Sequence, residues 1–393
     1  MNPKAYCRPA AAALLLMGAA ISLVSASAMA AEADDSFSIK GSHGTTLHAA
    51  PVARFDEPWA IELLPDAAML VTEKGGALWH VGADGTKKRV AGVPKVAYGG
   101  QGGLGDIVLD PAFADNHRVY LSHIATSSSG DTRGAVVIRA RLVADDNGWR
   151  LTDRRELWRQ QPFVAGTRHF SHRLAIGPSG SDQAGYLFIT SGERQKQTPA
   201  QAMDTNLGKI VRLKTDGSIP ANNPFVAQGG VARQIWSLGH RNLLGIAFDP
   251  QGQLWAQEMG PRHGDELNRI RRGANYGWPV VSEGRHYSGQ KIPAHATRPE
   301  FQAPAVAWVP AISPAGLAFY EGDHFSGWQG NALLGGLSSR SLVRVRFDDD
   351  TAHEAERYGW GKRVRDVAVA DDGTLWLLED GDGRLLHLTP ASS

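Results

Sequence analysis

The chain repeats itself. The stretch WAIELLPDAAMLVTEKGGALWHV (59–81) reads as an apolar strand, a turn with Pro and Asp, a second strand, a polar loop and a third strand ending in an aliphatic residue. The same order recurs in GIAFDPQGQLWAQEMGPRHGDELNRI (245–270) and VAVADDGTLWLLEDGDGRLLHL (367–388). Looser copies span 107–142, 174–213 and 316–347, which makes six units about 45 to 70 residues apart. Short strands bounded by turn signals are an all-β pattern, and a period in this range is that of radially repeated blades. The 45 Gly and 11 Trp suit a strand-rich fold with tight turns. The expectation is an all-β, six-bladed β-propeller of four-stranded antiparallel blades, with a β-sandwich plus a smaller domain as the competing architecture. Long helices are hard to place; TPAQAMDTNLGKI is at best a short turn. The last unit ends after about three strands, so a strand from DSFSIKGSHGTTLHAA is expected to complete it and close the ring.

The N-terminus has the layout of a secretory signal. Lys4 and Arg8 precede the apolar run AAAALLLMGAAISLV, and Ala28 and Ala30 provide a small-residue cleavage site. Residues 1–30 are therefore expected to be removed, leaving 31–393 as a single propeller domain in the periplasm or outside the cell. The apolar run is too short to span a bilayer comfortably. Cleavage takes the formal net charge from +1 to −1 and removes the sole cysteine, Cys7, so the mature chain has neither disulfide nor thiol chemistry. A charge this close to zero gives no electrostatic case for nucleic acid.

Four polar stretches break the strand pattern: YGGQGGLGD (98–106), TRHFSHRLAIG (167–177), SLGHRNLLG (237–245) and GKRVRDVAV (361–369). Each sits just before the first strand of a unit, and in a propeller that strand runs nearest the axis. Gln101, His169, Arg241, Asn242, Arg363 and Arg365 are thus expected to face one central site. Arginines converging without acidic neighbours suit an anionic ligand, a carboxylate or a phosphate gripped bidentately. A histidine among them has the pKa for a general base. A fifth stretch, MGPRHGDE, fills the loop between the second and third strands of its unit and is expected on the same face.

The strings TNLGKIVRLKTDGSIPANNPF, WSLGHRNLLGIAFDP and GPRHGDELNRIRRGANYGWP carry a family resemblance. The chain resembles the soluble, pyrroloquinoline-quinone (PQQ)-dependent aldose sugar dehydrogenases over nearly all of its mature length. The resemblance implies a six-bladed propeller, which agrees with the repeat count. It implies His169 as catalytic base, and Gln101, Arg241, Asn242, Arg363 and Arg365 as cofactor contacts. It further implies Ca²⁺ held by the carbonyls of Gly260 and Pro261, and a second Ca²⁺ site at Glu266, Tyr276 and Tyr287. The implied reaction oxidises the C1 hydroxyl of an aldose to the lactone by hydride transfer to the quinone, with electrons leaving to an unnamed acceptor and the chain a monomer or homodimer. Two departures stand out. Ser338 occupies a place where some relatives carry Lys, with Arg340 nearby as a substitute, and Arg168 replaces an Asn or Asp beside the catalytic histidine. Any group orienting His169 must then come from elsewhere, and either Gln195 or Gln197 lines the site.

Alone, these residues have plainer readings. His169 would be a packing histidine, Arg363 and Arg365 an exposed charged face, Arg241 and Asn242 turn residues, and Glu266 half of a solvated pair. His43, His48, His80, His295 and His353 show no ligand spacing and are expected at the surface. Two other functions compete: a Ca²⁺-dependent lactone hydrolase, which needs carboxylates converging on an axial metal, and a propeller that binds without chemistry.

Overall fold

The computed structural model describes residues 35–348 and 351–391; the expected signal, 1–30, lies outside the described residues. Six antiparallel sheets are arranged as a six-bladed β-propeller. The first strands of blades 1 to 6 are Pro58–Leu63, Leu104–Leu109, Ser171–Ile176, Leu243–Phe248, Pro314–Phe319 and Arg363–Val369. These match the starts of the six sequence repeats.

Blades 1 to 5 have four strands each. Blade 6 takes its inner three from the C-terminal repeat and completes itself with Thr46–Arg54, which pairs with Arg384–Pro390. A further strand, Phe37–Lys40, adds at the rim, so this sheet has five strands instead of four. Joining the two ends of the chain in one sheet leaves the ring no open inner edge. TPAQ forms a single 3₁₀ turn at Thr198–Gln201.

Blades are held together by apolar side chains projecting from both faces of each sheet, the period-2 pattern of the repeats. Trp376 of blade 6 packs with Ile61, Met69 and Val71 of blade 1, and Trp79 adds to that cluster. Trp255 of blade 4 packs with Leu317, Phe319 and Val343 of blade 5. These indoles fill the spaces between blades.

Near the axis a single side chain ties the ring together. Arg173, on the first strand of blade 3, is 5% exposed. Its Nη1 donates to Asp106 Oδ1 and to Asp366 Oδ2, both at 3.1 Å. Its Nε donates to the Leu244 carbonyl at 3.1 Å and its Nη2 to that of Trp59 at 3.3 Å. The guanidinium also lies over the Trp59 ring, 4.1 Å from the centroid. Arg173 therefore joins its own blade to blades 1, 2, 4 and 6. Burial pushes Asp106 up to about 6 against the opposing pull of Arg173.

Candidate active site

The connections that precede the first strands and those that join second strands to third share one face. A cleft of about 370 Å³ opens there, lined by Gln101, Asn242, Arg363 and Arg365 with Trp59, Lys74, Phe170 and Asp380 among others. Larger grooves exist on the opposite side, such as one of about 600 Å³ between Pro65 and His387, but charged and amide groups converge in this cleft. Four of the six expected contact residues line it.

His169 borders the cleft without itself lining it. It is 7% exposed, and its backbone N–H donates to Gln101 Oε1 at 2.7 Å, while Phe170 and Ser171 after it line the cleft. The backbone here is unusual: His169, Ser171 and His172 all have φ between 51° and 62°. Non-glycine residues with positive φ cost free energy and cluster at functional sites. The turn is held from below. Arg194, 2% exposed, donates to the carbonyls of Arg168, Arg133 and Gly166 at 3.0, 2.7 and 2.6 Å and stacks on Phe170. His172 packs flat on Trp59 with ring centroids 4.8 Å apart. A Cβ on Gly105 would sit 2.0 Å from the His172 ring, so that position has room for glycine alone.

The group that orients His169 is Glu193. Its Oε1 lies 2.5 Å from His169 Nδ1, and Glu193 is 1% exposed. Glu193 Oε2 accepts the backbone N–H of Gln197 at 2.5 Å. Burial alone would raise the Glu193 pKa, but the hydrogen bonds from His169 and Gln197 outweigh it and hold the carboxyl below its usual range. Burial lowers the His169 pKa, with Glu193 pulling the other way and Arg241 adding to the lowering. The pair is thus a neutral imidazole donating from Nδ1 to a carboxylate, which leaves Nε2 as a free acceptor. Sequence reasoning missed Glu193, although Gln195 and Gln197 marked the right loop. Gln195 and Gln197 are exposed and neither lines the cleft.

The arginines have an acidic neighbour after all, a correction to the sequence reading. Asp380 accepts Arg363 Nε at 2.6 Å and Arg365 Nη2 at 2.6 Å. It is the partner of Arg363 across the first two strands of blade 6, so register alone places it there. Lys74 is likewise paired, with Glu57 at 2.6 Å. Ser338 and Arg340 are exposed and outside the cleft lining.

Arg241 is also placed differently from expectation. Its Nη1 donates to the carbonyls of Met259 and Gly260 at 2.8 and 2.6 Å, and it lines a smaller adjoining cleft with Gly260, Pro261, Glu258, Glu266 and Tyr276. Carbonyl acceptors one loop away outcompete the open cleft for its guanidinium. In this second cleft Glu258 and Glu266 face each other across paired strands, both hydrogen-bonded by Asn268 Nδ2 at 3.2 Å. Burial and the Glu258 charge push Glu266 well above the usual carboxylate range. Tyr276 contributes its ring, but its hydroxyl donates to the Arg269 carbonyl. Tyr287 is 71% exposed and does not line the cleft, because its hairpin turns outward. His295, expected at the surface, is buried between Glu283 and the Tyr276 carbonyl.

For a planar polycarboxylate such as PQQ, the cleft supplies aromatic walls and a telling amide. Asn242 is 1% exposed, yet its Nδ2 finds only the Met259 thioether at 3.9 Å. A buried amide donor facing a weak acceptor suits an oxygen-rich ligand. For Ca²⁺, Glu258 and Glu266 are two buried carboxylates, of which Glu258 also meets His240 Nδ1 at 2.9 Å, and the Gly260 carbonyl beside them takes Arg241 Nη1 at 2.6 Å, so a cation there requires Arg241 to turn away. The cleft fits the quinone, and the oxygen donors suit Ca²⁺ once that carbonyl is released.

Fold and cleft together define an enzyme-like propeller with one axial site built on a histidine–carboxylate pair. The chain belongs to the family described as Glucose / Sorbosone dehydrogenase, whose model matches residues 55–387. It is 39% identical to the aldose sugar dehydrogenase YliI of Escherichia coli over 348 residues, 86% of this chain and 91% of that protein. The crystal structure of the soluble aldose sugar dehydrogenase from Escherichia coli in the apo-form superposes with a TM-score of 0.80 at 37% identity, covering 88% of this chain and all of the other. The PQQ-bound aldose sugar dehydrogenase from Streptomyces coelicolor gives 0.70 at 30% identity, covering 87% and 98%. Among the described residues, no helix is long and apolar enough to cross a membrane.

Proposed function

We propose that the protein oxidises the C1 hydroxyl of aldoses to the lactone, with PQQ as two-electron acceptor and Ca²⁺ assisting, in the compartment beyond the inner membrane. The observation that carries this reading is the His169–Glu193 pair bordering an axial cleft edged by Arg363, Arg365, Gln101 and Asn242. Bound in that cleft, PQQ supplies the oxidant, and Ca²⁺ at the Gly260–Pro261 carbonyls supplies a Lewis acid to polarise it.

The chain's own part is proton chemistry and placement. His169 Nε2 accepts the proton of the sugar's C1 hydroxyl, and Glu193 steadies the imidazolium that results. Asn242, Gln101 and the two arginines orient the cofactor, with Asp380 fixing the arginine forks. Glu258 and Glu266 hold a second, structural Ca²⁺. The lactone hydrolase reading loses support because the axial carboxylates Asp106 and Asp366 already close on Arg173, where a hydrolase needs a metal.

Reconstitution tests the proposal. Protein supplied with PQQ and Ca²⁺ should reduce an artificial dye on addition of aldoses and release the lactone or its aldonic acid. The same protein with PQQ and a chelator should not. Full activity in chelator, or no sugar-dependent dye reduction with both groups present, would contradict it.

Glu193→Gln separates positioning from mere packing. Wild-type reduction of the cofactor by sugar should rise with pH through a pKa below the usual ~6.5 of histidine and flatten above it. Glu193 raises the His169 pKa, so its loss should move that acid limb to lower pH while the plateau falls on the order of 10²-fold. A fall at every pH with an unmoved limb would show that Glu193 only supports the fold.

A further inference from the structure

The first-to-second turns of the blades and the rim of the cleft, on opposite faces of the propeller, differ in charge. The turns joining first to second strands (64–68, 110–117, 177–185, 249–253, 320–331 and 370–374) hold nine Asp or Glu residues and no Lys or Arg. All six lie on the face away from the cleft. On the cleft face, Lys95, Arg168, Lys196, Arg262, Lys291 and Arg340 are exposed and form no ion pair among the described residues. Against them stand three exposed and unpaired acids, Asp56, Asp131 and Asp204. The acidic first-to-second turns and the cation-rich cleft rim set a charge gradient along the axis, positive at the cleft and offset in part by Arg233, Arg271 and Arg272 on third-to-fourth connections.

We propose that the cleft face is the docking surface for an acidic one-electron carrier protein. This rests on the quinoprotein reading above. Each sugar oxidised leaves the cofactor with two electrons and two protons more than before. Two encounters with the carrier remove the electrons, reducing two carrier molecules, and the protons pass to solvent. An aldose is neutral and cannot use the gradient. Lys95, Lys196 and Lys291 sit on three separate connections outside the cleft lining, so a molecule lodged within the cleft does not engage them. A partner broad enough to span the rim does. A gradient of this kind speeds and orients the encounter more than it tightens the complex.

The test uses reconstituted protein with plastocyanin as acidic acceptor and a basic mitochondrial cytochrome c as its opposite. Reoxidation by plastocyanin should be the faster on approach and should slow about tenfold between roughly 20 and 200 mM salt. The triple variant Lys95→Glu, Lys196→Glu, Lys291→Glu should lose at least about tenfold with plastocyanin, while sugar still reduces its cofactor at the wild-type rate. A second readout needs no turnover: cofactor-free wild-type protein should bind plastocyanin in a calorimetric titration at low salt, and the triple variant should not. Salt-independent reoxidation, preference for the basic cytochrome, or an unchanged triple variant would overturn the proposal. A protein that takes up no quinone at all would instead contradict the quinoprotein reading, and the calorimetric arm would still decide the surface.

Discussion

His169→Gln should slow reduction of the bound cofactor by roughly 10²- to 10⁴-fold, the usual contribution of a positioned base. Among the groups lining or touching the cleft, none else is poised for the task. Arginines do not deprotonate, and Gln and Asn amides are not bases. Glu193 is buried behind the imidazole, Asp380 is neutralised by two guanidiniums, and Glu57 is paired with Lys74. Glutamine retains an amide N–H that can reach Glu193, so the carboxylate is not left bare. The fold should therefore survive, and so should quinone binding, which rests on other residues. Stopped-flow mixing of quinone-loaded variant with excess aldose reads the step directly. Near-normal rates with cofactor fully bound would place the base elsewhere.

Arg173→Met should destabilise the protein by about 3–5 kcal/mol, the cost of removing one partner from a buried ionic cluster. Asp106 and Asp366 are 5% and 4% exposed and would be left facing each other without a cation. The sign of the pH dependence follows. With Arg173 gone, the burial that already raises the Asp106 pKa acts unopposed, so the folded chain binds more protons than the unfolded one. Stability of the variant should then fall as pH rises from about 4 towards 7 and recover in acid. Thermal unfolding followed by circular dichroism should show a melting temperature lowered by about 5 °C near neutrality, for a chain of this size, with a smaller gap at pH 5. Equal melting curves would mean that the axial arginine is not what joins the blades.

The propeller was legible because its signal is periodic. Six copies of strand, turn, strand, loop and strand force radial repetition whichever copy is weakest, and the missing outer strand of blade 6 could be sought only at the other end of the chain. What the pattern did not show was the extra strand Phe37–Lys40, since rim strands need no fixed spacing. Inner-strand position likewise brought Gln101, Asn242, Arg363 and Arg365 to one cleft. It could not foresee which partner a long side chain would choose. Arg241 turned to nearby carbonyls, and Asp380 claimed both arginines. Glu193 escaped notice because it reaches His169 from a different loop, 24 positions along the chain. Tyr287 was placed by resemblance alone, and its side chain lies in solvent on a hairpin.

An absorbance titration of cofactor-free protein decides whether this cleft holds PQQ. With Ca²⁺ present, the quinone spectrum should shift and saturate at one equivalent per chain. Arg363→Ala should weaken binding by about tenfold; its side chain is 45% exposed and shared with Asp380, so the loss belongs near the lower range for charged pairs. An unshifted spectrum, binding without saturation, or identical curves for wild type and Arg363→Ala would contradict the assignment of this cleft.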